Sequence, residues 1–335
     1  MKIMFNKLMV ISLVTVGLVA CSNQAHAEGT KIIATTTQVC DFVKEIAGNE
    51  VPVDLTCLIA PNASAHEFEP TSEQMTQLSR ADMFIENGLG LEEYMDNVID
   101  SSGFKGTRVI SAGVDKDGNR VADVQDAVTP ELWPFRDSDP DEDFLYDPHV
   151  WMSVNNAIIQ VKNIGAAMAK VDSAHADAIN KRTAAVVSSY QALDQWIRDS
   201  FATVPEPNRV LFTSHDAFGY FCNAYGIRYI GTALSDFSNQ NDATAAHIAQ
   251  AAQAVRDSGA VAIFGENSNS AKSIEAIAQA AGVTAYTDDD ALYGDSLGPN
   301  QTYAESMVHN VNLLVSAWKG TDQPVPAQAT TINAQ

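Results

Sequence analysis

Segments of strand type alternate with segments of helix type along this chain, and this alternation most constrains its fold. The strand-type segments are short and apolar, and the helix-type segments carry boundary signals such as Gly48 after an end or Pro70 before a start. Alternation at these lengths predicts an α/β fold of mainly parallel sheets flanked by helices. The first predicted strands are residues 31–34, 51–58 and 83–85, and the helices between them are residues 40–46 and 71–79.

The second half of the chain repeats this plan. Residues 209–213 match residues 31–35 in type at an offset of 178 residues. The sequence Phe84-Ile85-Glu86-Asn87-Gly88 recurs as Phe264-Gly265-Glu266-Asn267-Ser268 at an offset of 180 residues. A chain of 335 residues is also longer than one typical core requires. We therefore predict two similar lobes, at residues 28–173 and 204–320.

A long amphipathic helix is predicted between the two lobes. Its apolar residues recur at spacings that place them on one face about 40 Å long, and a single helix is a stiff connector. We assign residues 174–203 to this linking helix. Residues 321–335 contain two prolines and many small polar side chains, and are predicted to be a disordered tail. The apolar positions of the helix are Ile179, Val186, Tyr190, Leu193, Ile197 and Phe201.

The N-terminus has the organisation of an export signal. Lys2 and Lys7 accompany an apolar segment of 13 residues, 8–20, which is too short to span a bilayer as a helix. Leu18-Val19-Ala20-Cys21 has the form of a lipobox, so we predict a signal peptide at residues 1–20 and lipidation of Cys21. Cleavage after Ala27 is the alternative. Either cut places the mature chain in the periplasm or at the outer face of the cell envelope. After cleavage before Cys21, we expect it to touch the membrane only through a lipid anchor.

Charge and cysteine content exclude several classes of protein. Removal of Lys2 and Lys7 leaves 18 basic residues against 42 acidic ones, a net charge of −24 that disfavours nucleic acid as a partner. Three cysteines after Cys21 allow at most one disulfide. If one forms, Cys40–Cys57 is the favoured pair, because both lie in the first strand–helix–strand unit; a chain free of disulfides is equally open at this stage.

Three histidines differ from the others in their surroundings. His66 lies in the loop after the second predicted strand, His149 follows Pro148, and His215 comes just after the predicted strand at residues 209–213. Ligands of open parallel sheets gather beyond the carboxyl ends of the strands, where His66 and His215 are expected. The remaining histidines are interpreted as surface or leader residues; they are His26, His175, His247 and His309.

Four motifs in order carry a resemblance to a known family. The chain resembles the zinc and manganese group of ABC-importer solute-binding proteins, sometimes called cluster A-I, from about Lys31 to Lys319. That resemblance implies two four-stranded lobes joined by one helix, delivery of a metal ion to a cognate ABC permease, and no enzymatic activity. We expect a monomer. The motifs are residues 61–70 (PNASAHEFEP), 147–152 (DPHVWM), 213–226 (TSHDAFGYFCNAYG) and 294–298 (GDSLG), followed by residues 303–310 (YAESMVHN).

The resemblance also implies the metal ligands. They are His66, His149, His215 and Asp295, although Ala63-Ser64-Ala65 replaces the Asp-Pro that usually precedes the first histidine. Three imidazoles and one carboxylate suit tetrahedral Zn²⁺, whereas Ca²⁺ and Mg²⁺ require more oxygen ligands. Manganese-selective members tend to have Glu at the position of His215, so we predict Zn²⁺ with Mn²⁺ as the alternative.

Other functional classes fit the sequence less well. A secreted zinc hydrolase needs three protein ligands, a water and a nearby base, and the His66-Glu67 segment does not form the HExxH motif. A role in cell adhesion has no sequence feature that identifies a partner. An acidic run in the loop at residues 113–147 is interpreted as a solvated loop, with a cation collector as the alternative; it comprises Asp137, Asp139, Asp141, Glu142, Asp143 and Asp147.

Overall fold

The first lobe is a parallel four-stranded sheet covered by helices. The computed structural model describes residues 29–66, 68–129, 132–134, 145–234 and 244–332. The strands are hydrogen-bonded in the order β2-β1-β3-β4, and every pair is parallel. They are β1 (Thr30–Ala34), β2 (Val53–Cys57), β3 (Met83–Glu86) and β4 (Thr107–Ile110). The helices between them are α1 (Thr37–Ala47), α2 (Ser72–Leu78) and α3 (Tyr94–Ser102).

The middle of the chain consists of two helices packed against each other, α4 (Val154–Val171) and α5 (Ala176–Ala202). Helix α5 is the predicted linking helix, and its predicted apolar residues are all buried. The sequence analysis did not predict α4. Its buried face includes the polar side chains of Asn156, Gln160 and Asn163, which interrupt the apolar periodicity by which an amphipathic helix is recognised.

The second lobe repeats the strand arrangement of the first. Strand β5 pairs in parallel with β6, β7 pairs in parallel with β8, and β5 lies beside β7. The strands are β5 (Val210–Thr213), β6 (Arg228–Thr232), β7 (Ala262–Phe264) and β8 (Thr284–Tyr286). The helices are α6 (Gly219–Tyr225), α7 (Ala245–Ser258), α8 (Lys272–Ala281), α9 (Tyr303–Ala317) and α10 (Ala327–Thr330).

The two strand pairs of the second lobe do not form one continuous hydrogen-bonded sheet, which differs from the four-stranded sheet expected there. A side-chain contact replaces a ladder bond where β5 and β7 end. The backbone N–H of Glu266 donates a hydrogen bond to Oγ of Ser214 over 3.1 Å. This contact joins the two segments that follow β5 and β7, which carry His215 and Glu266.

One apolar core extends through both lobes and the linking helix. It includes Phe42 of the first lobe, Tyr190 and Leu193 of α5, and Phe264 and Trp318 of the second lobe. A smaller core lies within the second lobe alone. Because burial of such side chains contributes about 1.5–3 kcal/mol each, a core shared by three parts of the molecule resists their separation.

The predicted disordered tail is wrong for residues 321–332. The indole Nε1 of Trp196 donates a hydrogen bond to the carbonyl of Gln323 over 3.2 Å, and Oγ of Ser189 donates to the carbonyl of Gln328 over 2.7 Å. Ala329 of α10 is fully buried. Composition indicated disorder because the segment has few apolar side chains, whereas its backbone carbonyls are held by side chains of α5.

Several expectations concern single residues. Cys40 of α1 and Cys57 of β2 are joined by a disulfide with their Cα atoms 5.9 Å apart, and Cys222 is buried. The predicted leader with Cys21 lies outside the described residues, as does the acidic run from Asp137 to Asp143. Asp147, assigned to the same solvated loop, is only 2% exposed.

Among the described residues, every helix is too short or too polar to cross a lipid bilayer.

Candidate metal centre

The four predicted ligands come from four separate loops, and the structure brings them together. His66 lies between β2 and α2, and His149 directly precedes a short 3-10 helix, Val150–Met152. His215 follows β5 by two residues, and Asp295 lies between β8 and α9. One nitrogen or oxygen atom from each of these residues lies within 4.8 Å of the other three. The first lobe therefore contributes two of the side chains and the second lobe contributes the other two.

The distances between these atoms suit one tetrahedral ion. Oδ1 of Asp295 lies 2.9 Å from Nε2 of His215, 3.2 Å from Nε2 of His149 and 3.7 Å from Nε2 of His66. The Nε2 atoms of His66 and His149 are 3.0 Å apart. Ligands about 2.1 Å from a tetrahedral ion are separated by roughly 3.4 Å. The four side chains thus surround a volume that fits an ion of this size.

Asp147 orients the ring of His149. Its Oδ1 atom lies 2.7 Å from Nδ1 of His149 and accepts a hydrogen bond from the backbone N–H of the same residue over 2.8 Å. A carboxylate that accepts the Nδ1 proton leaves the Nε2 lone pair free for a metal ion. Asp147 is itself held from the second lobe, because the hydroxyl of Tyr220 donates to its carbonyl over 2.8 Å.

Glu266 performs the same task for His215 in the second lobe. Its Oε2 atom lies 2.8 Å from Nδ1 of His215, and its Oε1 atom accepts the backbone N–H of His215 over 2.9 Å. Both carboxylates were missed as orienting residues from the sequence. Asp147 stands two residues before His149 in the DPHVWM motif, and Glu266 stands in the repeated Phe-x-Glu-Asn segment, so a signal was present in each case.

The charges of the site favour a cation. Burial lowers the pKa of His149, but the carboxylates of Asp147 and Asp295 outweigh burial and raise the pKa to about 9. Burial also lowers the pKa of His215, but the carboxylates of Asp295 and Glu266 outweigh burial and raise the pKa well above its usual value. For His66 burial prevails and lowers the pKa. Burial disfavours the charged form of Asp295, but the neighbouring histidines hold its pKa well below the ordinary value. A metal ion that binds there displaces protons from the rings.

The loop that carries Asp295 is held by residues of the first lobe. Nε2 of Gln38 donates to the carbonyl of Asp295 over 3.2 Å, and Nε1 of Trp151 donates to the carbonyl of Gly294 over 3.0 Å. The hydroxyl of Thr37 accepts the backbone N–H of Leu297 over 2.8 Å. The fourth ligand of the site is therefore positioned partly by the opposite lobe.

The other described histidines make contacts elsewhere. Nδ1 of His175 lies 2.8 Å from Asp172 at the start of α5, and Nε2 of His309 lies 2.9 Å from the carbonyl of Ala291. Both are partly buried rather than fully exposed, as is His247 on α7. Among the described residues, none of the three belongs to a cluster that could hold a metal ion.

Comparison with known proteins gives a consistent set of relatives. The family model described as the periplasmic component A of a zinc-uptake complex matches residues 32–317. The manganese-binding lipoprotein MntA of Bacillus subtilis is 29% identical over 316 residues, which cover 91% of this chain and 96% of that protein. The iron ABC transporter substrate-binding lipoprotein MtsA of Streptococcus pyogenes is 26% identical over 306 residues, covering 88% and 92%.

The third relative also has a known structure. The zinc-binding protein TroA of Treponema pallidum is 29% identical over 304 residues, covering 88% of this chain and 91% of that protein. Its solved structure superposes with a TM-score of 0.72 at 26% identity, covering 87% of this chain and 99% of that chain. This similarity confirms the predicted class of α/β fold.

Proposed function

This chain belongs to the family of periplasmic zinc-uptake components, and on that premise we propose that it captures Zn²⁺ and delivers it to an ABC permease. The resemblance inferred from the four motifs is confirmed by the family match and by the relatives. The protein is a metal-binding solute-binding protein of an ABC importer, not an enzyme. The ion, the residues that bind it and the permease it serves are what we propose.

The observation that carries the proposal is the convergence of His66, His149, His215 and Asp295 from both lobes on one small volume. Their side chains are almost fully buried, with His66 and Asp295 exposed by 4% and 1%. Protein side chains therefore occupy all four coordination positions of a tetrahedral ion bound here, which leaves no position for the water of a catalytic zinc centre. Capture and release of the ion, rather than chemistry on it, is the function that this geometry supports.

Zn²⁺ is the proposed cargo because the set of donor atoms is rich in nitrogen. Three imidazole nitrogens and one carboxylate oxygen at near-tetrahedral spacing suit Zn²⁺, which also binds such a set more tightly than Mn²⁺. Mn²⁺ is the alternative, and one observation favours it. Oδ2 of Asp295 is buried without a hydrogen-bond partner among the described residues, so a bidentate carboxylate could supply a fifth ligand.

Delivery requires that the permease separate the ligand pairs of the two lobes. The lobes are those predicted from the sequence, at residues 28–173 and 204–320, with the linking helix between them. Fewer ligands hold Zn²⁺ less tightly than four, so a small shift of a lobe, or of a loop that withdraws Asp295 or a histidine, is sufficient for release. We propose that the protein acts as a monomer, since the two lobes of one chain complete the site.

We further propose that the chain is anchored outside the cytoplasm by a lipid on Cys21. The lipobox at residues 18–21 supports this, and the relatives MntA and MtsA are named as lipoproteins. Cys21→Ser is expected to release the protein from the membrane fraction or to leave its signal peptide attached. Wild-type protein that is wholly soluble, with Glu28 at its N-terminus, would show that the alternative cut after Ala27 is used.

The experiment that tests the proposed cargo is a measurement of metal content followed by a competition. Protein purified without added metal is analysed for zinc, manganese and iron, and the metal-free form is titrated with Zn²⁺ in the presence of Mn²⁺. We expect one bound ion per chain and a preference for Zn²⁺. One bound Mn²⁺ that excess Zn²⁺ does not displace would overturn the choice of cargo but leave the site in place.

A further inference from the structure

The two lobes each contain an asparagine at the same position of the repeated Phe-x-Glu-Asn segment. We propose that these residues, Asn87 and Asn267, are positioning residues that hold the backbone beside the ligands His149 and Asp295. The proposal rests on the proposed function, because it concerns the geometry of the metal site. It adds two residues that do not touch the ion but determine where two of its ligands stand.

Asn87 holds the loop of His149 from within the first lobe. It directly follows β3 and is fully buried. Its Nδ2 atom donates to the carbonyl of Pro148, the residue before His149, over 2.8 Å, and to the carbonyl of Gly88 over 3.0 Å. Its Oδ1 atom accepts a hydrogen bond from Nε2 of Gln160 over 2.9 Å, which fixes the orientation of the amide.

Asn267 does the same for the loop of Asp295 in the second lobe. Its Nδ2 atom donates to the carbonyl of Ser296, the residue after Asp295, over 3.0 Å. The second proton of the same Nδ2 atom is donated to Oδ1 of Asn62 over 2.9 Å. Asn62 belongs to the loop that carries His66, so Asn267 connects a ligand loop of the second lobe with a ligand loop of the first.

The glutamates of the two repeats contact different kinds of partner, so the glutamate is not the part of the repeat whose role is shared. Glu266 contacts His215 over 2.8 Å, whereas Glu86 forms an ion pair with Arg108 over 2.7 Å. Only the asparagine makes the same kind of contact in both lobes, a donation from Nδ2 to a carbonyl one residue away from a ligand. The shared contact therefore lies at the ligand loops and not in the general packing of the lobes.

The physical consequence follows from the precision that a metal site needs. Ligand atoms must be held to within about 0.5 Å of their working positions for the ion to bind well. The carbonyl of Pro148 moves with the Cα atom of His149, because the two share one rigid peptide plane. The carbonyl of Ser296 is separated from the Cα atom of Asp295 by the backbone torsions of Ser296, so Asn267 restrains the loop that carries Asp295 rather than that Cα atom directly. Loss of the Nδ2 donor therefore allows the ligand to shift without changing its identity.

The test compares Asn267→Ala with Asn269→Ala. Both residues follow β7, and Asn269 lines the same surface cavity, but among the described residues its side chain contacts only Oγ of Ser268, over 3.5 Å. We measure the rate at which Zn²⁺ is transferred to an excess of chelator, and the visible absorption of the Co²⁺ form, which reports ligand geometry. We expect Asn267→Ala to release Zn²⁺ about 3- to 10-fold faster, as loss of one or two hydrogen bonds allows, and to alter the Co²⁺ spectrum. Asn269→Ala should match wild type in both.

Asn87→Ala provides the second arm in the first lobe. Its removal also takes away one of the two acceptors of Gln160 and leaves Oγ of Ser111, so the stability of the metal-free protein is measured alongside by denaturation. A purely structural role would lower that stability while the folded protein kept the wild-type release rate and Co²⁺ spectrum. If Asn87 positions the ligand loop, the release rate and the Co²⁺ spectrum of the folded variant both differ from those of wild type. If Asn87→Ala does not fold, Asn267→Ala decides alone.

The outcomes separate this proposal from the proposed function. Wild-type release rates and spectra in the asparagine variants, or equal acceleration in Asn269→Ala, would overturn the positioning role while metal binding stands. A wild-type protein that binds neither Zn²⁺ nor Co²⁺ would instead overturn the proposed function itself.

Discussion

Nδ1 of His215 lies 2.8 Å from Oε2 of Glu266, and this contact determines which nitrogen of the ring faces the metal site. The same carboxylate accepts the backbone N–H of His215 through Oε1, so one side chain fixes both the ring and the backbone of the ligand. Ligand, tautomer and backbone position are therefore linked through one buried residue of the second lobe.

Substitution Glu266→Gln tests this link. An amide has one acceptor oxygen in place of two, so it places an N–H group opposite either Nδ1 or the backbone N–H of His215 and weakens that one of the two contacts. We expect Zn²⁺ affinity to fall by about 10- to 100-fold, the usual cost of removing such an orienting carboxylate. Titration against a competing chelator measures it. Glu275→Gln removes an exposed carboxylate of α8 in the same lobe and should leave affinity unchanged; an equal loss there would point to overall charge as the cause.

Substitution His215→Glu tests the choice of cargo. It replaces a nitrogen of intermediate softness with a hard anionic oxygen, which suits Mn²⁺ better than the imidazole does. The preference for Zn²⁺ over Mn²⁺ should shrink by a factor on the order of ten. Competitive titration of both variants measures the ratio, with His175→Glu as the control at a histidine away from the site. An unchanged ratio would mean that this ligand does not set the preference.

A partly buried carboxyl away from the site, that of Glu45, predicts how the stability of the fold depends on pH. Burial raises the pKa of Glu45 to about 8, and the negative charge of Asp41 adds to this increase. A group whose pKa is higher in the folded protein contributes stability that is complete below the unfolded pKa near 4.5 and is lost as pH rises through 8.

Denaturation of the metal-free protein at pH 6 and pH 9 measures this loss. We expect wild type to lose about 1 kcal/mol more than Glu45→Gln over this range, because part of the side chain remains in contact with water. Glu50→Gln, at an exposed position after α1, should behave as wild type. A Glu45→Gln variant with the wild-type pH dependence would contradict the assignment.

Because one helix, α5, connects the two lobes, we expect the overall shape of the protein to change little when a metal ion binds. Helix α5 shares the main apolar core with both lobes, and the segment 321–332 packs along it. Solution scattering should therefore give the same overall dimensions within error for the metal-free and Zn²⁺-bound forms. A clear compaction on addition of Zn²⁺ would contradict a rigid connector and would favour a hinge between the lobes.

Local signals predicted much of the fold. The strand at β1, the helix α2 that begins after Thr71 and the apolar face of α5 all have the periodicity or the capping residues that define such elements. Helix α4 was missed because buried amides interrupt its apolar face, and the tail was mistaken for disorder because backbone carbonyls, which composition does not record, attach it to α5. These are tertiary contacts, which no local pattern encodes.

The candidate site was predicted unevenly. His66 and His215 were expected beyond the carboxyl ends of strands, but the resemblance was needed to join them with His149 and Asp295 into one ligand set. Asp295 lies in a long loop without periodicity. Asp147 and Glu266 were overlooked because an orienting carboxylate is recognised only by its distance from a ring nitrogen. The residues that hold the ligands were harder to predict than the ligands.

The most direct test of the account is the number of Zn²⁺ ions bound by the wild-type protein and by the triple variant His66→Ala, His149→Ala, His215→Ala. Isothermal titration of the metal-free proteins gives both the number and the affinity. We predict one tightly bound ion in wild type and none in this triple variant. The control is a second triple variant, His175→Ala, His247→Ala, His309→Ala, which should bind one ion as wild type does. One Zn²⁺ bound at wild-type affinity by the first triple variant would contradict the site described here.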